Sequence, residues 1–300
     1  MKKPNFFILG APKCGTTSLA TWLSEHPNIF ISPVKEPHFF NTDGLRRITN
    51  VKEYEKLFSD ASSEHIAIGE ASTHYLYSKE AVPNILKYQP DAKFIVCIRN
   101  PIEMAPSLHA ERVFTGFETI KDFEKAWKLQ AQRKLGKFIP KTAKKDPERL
   151  QYGPYCRLGE QLERLYKIVP TERILVLVLD DMAADPRSEY LKVLSFLGVP
   201  DDGRMDFPVY NQRKAVRSVF LASLIRMMSN ISSDIKHFLG FEREFGIVSW
   251  MRNRINKKVA GKQSLSPEMK RELYRYFKDD IHLLEKLLGR DFSSWLSKYN

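Results

Sequence analysis

The chain has 300 residues, of which 43% are hydrophobic and 28% charged, as in an ordinary globular protein with a substantial core. Its formal net charge of +12 predicts attraction to anions such as nucleic acid, anionic membranes, or phosphorylated and sulfated small molecules. Because no stretch reaches the roughly 18 consecutive apolar residues of a membrane span, we expect no stable membrane insertion. Three widely spaced cysteines favour a reducing compartment over a disulfide framework.

The elements alternate along the chain between strands and helices. An apolar run over 6–9 predicts the first strand, and a helical pattern follows over 17–25. Further strands are predicted over 29–31, 66–70, 93–98 and 173–179, and helices over 51–58, 80–88, 118–136, 159–169, 185–197 and 267–288. We read 138–150 as a lysine-rich surface loop and 204–262 as irregular and cationic. The alternation predicts an α/β fold with three layers, in which helices flank a central parallel sheet in one domain over 1–300.

The loop between the first strand and the first helix has the composition of a phosphate site. Its glycines are Gly10 and Gly15, and its polar residues are Lys13, Thr16, Thr17 and Ser18. Backbone N–H groups and the positive end of a helix dipole converge at such a turn. The lysine precedes the second glycine, so the loop differs from the G-x-x-x-x-G-K-[ST] loop of nucleotide triphosphatases. The alternatives are a plain strand-to-helix turn, or a nucleophilic Cys14.

Three motifs, in this order over roughly the first 110 residues, resemble those of the sulfotransferases that use 3′-phosphoadenosine-5′-phosphosulfate (PAPS). The glycine loop is similar to their 5′-phosphosulfate loop. The segment Lys-Glu-Pro-His-Phe-Phe over 35–40 resembles the one that carries the acceptor base in heparan-sulfate-type and related bacterial members. The segment 94–101, followed by Ser107, resembles their 3′-phosphate motif. The C-terminal third resembles the family only loosely.

The resemblance implies a P-loop-like fold, PAPS as donor co-substrate, PAP as product and no required metal. It places Lys13 beside the leaving group, with donor contacts from Cys14, Gly15, Thr16, Thr17 and Ser18. Arg99 and Ser107 are expected to bind the 3′-phosphate, because a guanidinium presents a planar fork of donors. Lys262, in the nearest piece to the family's C-terminal basic loop, is expected to contribute to the same site.

Glu36 is the general base that the resemblance implies. Phe39 and Phe40 are expected to bury it and raise its pKa, whereas Lys35 and His38 favour the ionised form. His38 and His74 are the alternative bases, and His74 is the main rival, since small-molecule members use a histidine at the strand exit before the 3′-phosphate motif. Lys35, His38 and Glu70 are expected to contact the acceptor. Ala71 stands where the heparan-sulfate type has a lysine, which argues against a heparan-like acceptor.

The expected reaction is sulfuryl transfer to a hydroxyl or amine of a small-molecule or glycan acceptor. A carbohydrate is favoured, and a lipid or small metabolite is the alternative. The rival functions are a P-loop kinase or phosphotransferase, which the missing G-K-[ST] order disfavours, and a basic nucleic-acid-binding protein, for which no recognisable module is present. Golgi members carry an N-terminal anchor, and this chain starts almost directly at its first strand. We therefore expect a cytoplasmic, bacterial enzyme that binds no nucleic acid.

Overall fold

The computed structural model describes residues 2–44, 47–210, 214–216, 218–219, 221–224, 226–227, 257–259 and 264–299. The chain divides into two compact units. The first comprises Met1–Pro101, Arg157–Asn211 and Phe277–Lys298, and the second comprises Ile102–Cys156, Gln212–Tyr276 and Tyr299–Asn300. The single domain inferred from the sequence stays a prediction.

A five-stranded parallel sheet lies at the centre of the first unit. Its strands in chain order are β1 (Phe6–Gly10), β2 (Ile29–Ile31), β3 (Ala67–Ala71), β4 (Lys93–Ile98) and β5 (Ile174–Val178). Their order in the sheet is β2-β3-β1-β4-β5, and every pairing is parallel. Helices flank this sheet, so the α/β fold with a central parallel sheet is confirmed. A separate antiparallel pair joins β6 (Lys214–Val216) to β7 (Lys257–Val259).

Helices occupy the segments between and after the strands. They are α1 (Thr16–Ser24), α2 (Val51–Lys56), α3 (Ala81–Tyr88), α4 (Pro101–Phe114), α5 (Phe123–Lys128), α6 (Gln130–Lys134), α7 (Tyr152–Tyr155), α8 (Leu158–Tyr166), α9 (Leu179–Ala184), α10 (Pro186–Leu197), α11 (Pro267–Leu288) and α12 (Ser293–Ser297). Short 3₁₀ turns occur at Lys141–Ala143, Pro147–Leu150 and Thr171–Arg173. Across the described ranges, no helix combines the length and apolarity needed to cross a membrane.

The central strands form the core because they are apolar along their whole length. All five residues of β1 are buried, as is typical of strands in parallel sheets that are covered on both faces. Gly69 on β3 leaves room for the Phe6 side chain, since a Cβ at this glycine would lie 2.5 Å from the Phe6 ring. In open α/β sheets, ligands bind outside the carboxyl ends of the strands. That edge carries the loops after β1, β3 and β4.

The single helix expected over 118–136 is wrong. The Glu118 carboxylate accepts hydrogen bonds from the backbone N–H groups of Thr119 and Ile120, and it forms a buried ion pair with Arg133 at 2.6 Å. These contacts hold the chain in a turn until Asp122 caps α5 by accepting from the Lys125 N–H. Two short helices, α5 and α6, follow.

The surface loop expected over 138–150 is partly buried. Its two 3₁₀ turns place Ala143 and Leu150 in an apolar cluster with Phe117, and both are fully buried. The segment is rich in lysine, so its composition indicates a surface loop and gives no sign that these two apolar residues are buried. Most of the irregular, cationic stretch expected over 204–262 lies outside the described residues.

Candidate active site

The glycine loop connects β1 to α1 as the sequence predicts. Gly15 caps α1 in a left-handed conformation (φ 87°), and a Cβ there would lie 2.9 Å from the Leu179 side chain. Lys13 is also left-handed, with φ 66°, which is uncommon for a non-glycine residue and typical of functional turns. The loop thereby presents its backbone and the N-terminus of α1 at the carboxyl edge of the sheet.

Arg99 joins this loop from the end of β4. Its Nη1 donates to the Lys13 carbonyl oxygen over 3.4 Å, and the Ala11 N–H donates to the Cys97 carbonyl oxygen over 2.7 Å. The two cations predicted to bind the donor are therefore neighbours. Cys14 is fully buried, and burial raises the pKa of its thiol to about 12 despite the charges of Arg99 and Lys13. This geometry argues against a nucleophilic Cys14 and leaves its backbone as its contact to a ligand.

Two of the three hydroxyls at the start of α1, those of Thr17 and Ser18, already have partners in the protein. Lys35 Nζ donates to Thr17 Oγ1, which connects the acceptor segment to the donor loop. Ser18 Oγ accepts a hydrogen bond from the Tyr210 N–H at 3.0 Å, and the Thr16 side chain is buried. Sequence reasoning assigned all three hydroxyls to the donor. In the structure, Thr17 and Ser18 also fix the neighbouring segments.

Glu36 lies beside the exit of β3. Its N–H donates to the Ala71 carbonyl oxygen at 3.1 Å, and its carboxylate accepts from Thr73 Oγ1 at 3.0 Å. The other carboxylate oxygen lies 3.2 Å from His38 Nε2, and 31% of the Glu36 side chain is exposed. Both residues have left-handed backbones, with φ 56° for Glu36 and 49° for His38. The turn therefore places the carboxylate and the imidazole side by side.

The two opposing effects on the pKa of Glu36 that the sequence indicates are both present, and the net shift is downward. Burial does oppose ionisation, but hydrogen bonding and charge from His38, the charge of Lys35 and the Thr73 hydrogen bond outweigh it. Together they lower the pKa of Glu36 to about 2. The rings of Phe39 and Phe40 pack against Tyr54, at centroid distances of 4.4 and 5.2 Å.

His74 joins Glu36 and His38 in one cluster. The ring centroids of His38 and His74 are 4.9 Å apart, and one ligand atom from each of the three residues lies within 4.8 Å of the others. The sequence alone does not show this grouping, because the turn over 36–38 and the exit of β3 meet only in the folded chain.

Glu70, which the sequence predicts at the acceptor site, is fully buried in this structure. Its carboxylate accepts from Tyr54, Tyr75 and Ser72 hydroxyls at 3.0, 2.9 and 2.7 Å. Burial raises the pKa of Glu70 to about 7, although these hydrogen bonds oppose the shift. Ser72 Oγ accepts from the His38 N–H at 3.2 Å, so Glu70 supports the segment that carries the predicted base.

Three contributors to this region lack a sequence motif of their own. Thr73 binds Glu36 directly, and Tyr75 Oη accepts the N–H groups of Phe39 and Phe40 at 2.9 and 3.3 Å. Arg47 adds a cation to the acceptor segment by donating to the Lys35 carbonyl oxygen at 2.9 Å. The sequence could have indicated Thr73 and Tyr75, because the polar segment Ser-Thr-His-Tyr directly follows a buried strand.

The geometry given above does not include two residues that the sequence predicts at the 3′-phosphate, Ser107 and Lys262. Ser107 is buried on α4 and belongs to the second unit. Lys262 lies outside the described residues. The roles of both stay predictions, as do the roles of the other predicted site residues.

Known proteins resemble the chain throughout. The family model for the sulfotransferase domain matches residues 3–287. Carbohydrate sulfotransferase 15 of Mus musculus is 28% identical over 65% of this chain and 44% of that protein. Heparan sulfate glucosamine 3-O-sulfotransferase 3B1 of Homo sapiens is 26% identical over 65% of this chain and 46% of that protein. The chain thus matches less than half the length of these relatives.

Solved structures share the fold. A sulfotransferase from Alicyclobacillus acidocaldarius superposes with a TM-score of 0.72 and 25% identity, over 98% of this chain and 99% of that one. A mouse sulfotransferase solved in complex with PAP superposes with a TM-score of 0.52 and 15% identity, over 96% of this chain and 90% of that one. At this lower identity, the similarity concerns the fold alone.

Proposed function

This chain belongs to the sulfotransferase domain family, and we propose that it transfers the sulfuryl group of PAPS to a hydroxyl of a carbohydrate acceptor. One observation carries the proposal. Glu36 is bound to the end of β3 and Lys13 follows β1, which is the neighbouring strand of the sheet. A carboxylate and a phosphate-binding loop thereby lie at one edge, as an in-line displacement requires.

The donor side of the proposal uses Lys13, Arg99 and the N-terminus of α1. As the acceptor oxygen bonds to sulfur, the bond from sulfur to the 5′-phosphate oxygen breaks, and its electron pair stays on that oxygen. Lys13 and the backbone near Gly15 stabilise the charge that develops there, without a metal. Arg99, 3.4 Å from the Lys13 carbonyl oxygen, binds phosphate with its planar fork, and the role of Ser107 at the 3′-phosphate stays a prediction from the sequence.

Glu36 accepts the proton of the acceptor hydroxyl. Without ligands its pKa is about 2, so it is ionised throughout the neutral range. Binding of the anionic donor adds negative charge at the same edge, which raises the pKa of Glu36 toward that of an effective base. His38 and Thr73 orient the carboxylate, and His74 is the rival base.

A carbohydrate acceptor is favoured by the named relatives and by the cations of the acceptor segment. Lys35 and Arg47 lie together there, joined by the hydrogen bond from Arg47 to the Lys35 backbone. Such a pair suits an acidic sugar. We also retain the cytoplasmic location and the bacterial origin as predictions.

Transfer of labelled sulfuryl from PAPS tests the proposal. The acceptors are a panel of neutral and acidic glycans, with a phenol and a lipid alcohol for comparison. We expect product on a glycan with the wild type, and about 10²–10⁴-fold less with Glu36→Gln. His74→Gln is the matched variant of the rival base. A larger loss with His74→Gln than with Glu36→Gln would assign the base to His74, and transfer only to phenol or lipid would reject a carbohydrate acceptor.

A further inference from the structure

We propose that Glu36, His38 and His74 form a binding site for a divalent transition-metal ion, with Zn²⁺ as the probe ion, and that the bound metal inhibits sulfuryl transfer. The three side chains offer one carboxylate oxygen and two imidazole nitrogens within 4.8 Å of one another. Two histidines and one carboxylate are a common ligand set for zinc and other first-row ions.

The distances are close to those of a coordinated ion. Ligands about 2.0–2.1 Å from a tetrahedral zinc lie roughly 3.3 Å from each other. Glu36 Oε2 and His38 Nε2 are already 3.2 Å apart, and the two imidazole rings are 4.9 Å apart between centroids. Side-chain rotations that move the ligand atoms by about one to two ångströms therefore suffice to bring all three to the spacing of a tetrahedral zinc site.

The surroundings hold two of the ligands in place for this task. Thr73 Oγ1 donates to the carboxylate oxygen of Glu36 that faces away from His38, as outer hydrogen bonds to metal-bound carboxylates do. His38 Nδ1 is buried and has no hydrogen-bond partner among the described residues, so no hydrogen bond within them competes with a metal ion for that nitrogen. The His38 N–H is fixed on Ser72 Oγ.

The charge balance sets the strength of the site. One carboxylate and two neutral imidazoles leave a Zn²⁺ complex with a net positive charge, and Lys35 lies close enough to act on Glu36. We therefore expect reversible binding in the micromolar range rather than a permanent structural ion. The bound ion occupies the lone pairs with which Glu36 would accept a proton. Inhibition competitive with the acceptor follows, and this consequence rests on the proposed function, whereas metal binding itself does not.

Calorimetric titration of Zn²⁺ into the metal-free protein, with Co²⁺ absorption spectra as a second readout, tests the site. We expect one ion per chain, loss of binding in Glu36→Gln and in His74→Gln, and about 10–100-fold weaker binding in Thr73→Val. The matched control is His282→Gln, because His282 forms an exposed pair with Glu285 at 2.7 Å, and this pair offers two ligands rather than three. It should bind Zn²⁺ like the wild type.

Thermal unfolding and PAP binding verify that each variant is folded. His74 is buried, so Glu36→Gln, on a partly exposed side chain, decides the matter if His74→Gln does not fold. Wild-type affinity for Zn²⁺ in a folded Glu36→Gln variant would overturn the site. Zn²⁺ binding that needs Glu36 and His74 in a protein without transfer activity would uphold the site and reject the proposed function. Full activity with Zn²⁺ bound would overturn the inhibition.

Discussion

Thr73 Oγ1 donates a hydrogen bond of 3.0 Å to Glu36 Oε1, although the two residues are 37 positions apart in the sequence. The contact joins the exit of β3 to the turn that carries the predicted base. It is one of the interactions that lower the pKa of Glu36 to about 2. The acidity and the orientation of this carboxylate therefore depend on a residue outside its own motif.

Thr73→Val removes this hydrogen bond while it preserves the shape of the side chain. Because the ionised carboxylate loses a donor, the pKa of Glu36 should rise from its value of about 2. An NMR titration of the Glu36 carboxyl group measures the change. Ser63→Ala, at an exposed position on another segment, is the control. An unchanged titration in Thr73→Val would show that His38 and Lys35 alone set the acidity of Glu36.

Lys13→Met should lower kcat about 10²–10³-fold, because the variant loses a preorganised cation beside the leaving oxygen. Lys13 has a left-handed backbone in the loop, with φ 66°. Steady-state transfer assays on the wild type and the variant give the ratio. Lys137→Met, at an exposed lysine of the second unit, controls for the loss of one positive charge. Equal losses in both variants would mean that Lys13 acts only through the general positive field.

Glu70 should make the protein less stable as the pH rises. Its folded-state pKa is raised to about 7, so its favourable contribution is fully present below about pH 4.5 and is lost as pH rises through 7. A shift of this size corresponds to about 3 kcal/mol of unfolding free energy. Glu70→Gln removes the titrating group. Denaturant unfolding across this pH range should show a shallower decline in the variant, and parallel curves for the two proteins would contradict the buried protonated carboxyl.

Tyr75→Phe should lower the unfolding free energy by about 1–3 kcal/mol, since buried partners lose their hydrogen bonds. The Tyr75 hydroxyl donates to Glu70 and accepts the backbone N–H groups of Phe39 and Phe40. Denaturant unfolding measures the difference. Tyr166→Phe is the control, because Tyr166 is half-buried on α8, outside this network. An equally small effect in both variants would show that the network contributes little to stability.

The sequence predicts those parts of the fold that local patterns specify. The continuous apolar runs of β1 and β4 are typical of covered parallel strands, and the glycine spacing after β1 locates the loop and the start of α1. The end of α10 at Gly198, which adopts a left-handed conformation, was equally readable. These features need no knowledge of distant contacts.

Features that depend on distant partners escaped prediction. Glu118 interrupts the expected helix because it pairs with Arg133, and no local pattern indicates this pairing. The same holds at the site. Glu36 follows β2 whereas His74 follows β3, and the meeting of the two depends on the adjacency of these strands in the sheet. The burial of Glu70 and the low pKa of Glu36 likewise result from tertiary contacts.

Calorimetric binding of PAP, compared with ADP in the presence and absence of Mg²⁺, tests the donor assignment most directly. We predict micromolar PAP binding without metal, weak ADP binding, and loss of PAP binding in Arg99→Ala, because Arg99 lies against the Lys13 loop. Arg173→Ala, at a partly exposed arginine of the same unit, should bind PAP like the wild type. Equal affinity for ADP and PAP, or a requirement for Mg²⁺, would contradict the account and favour a kinase or phosphotransferase.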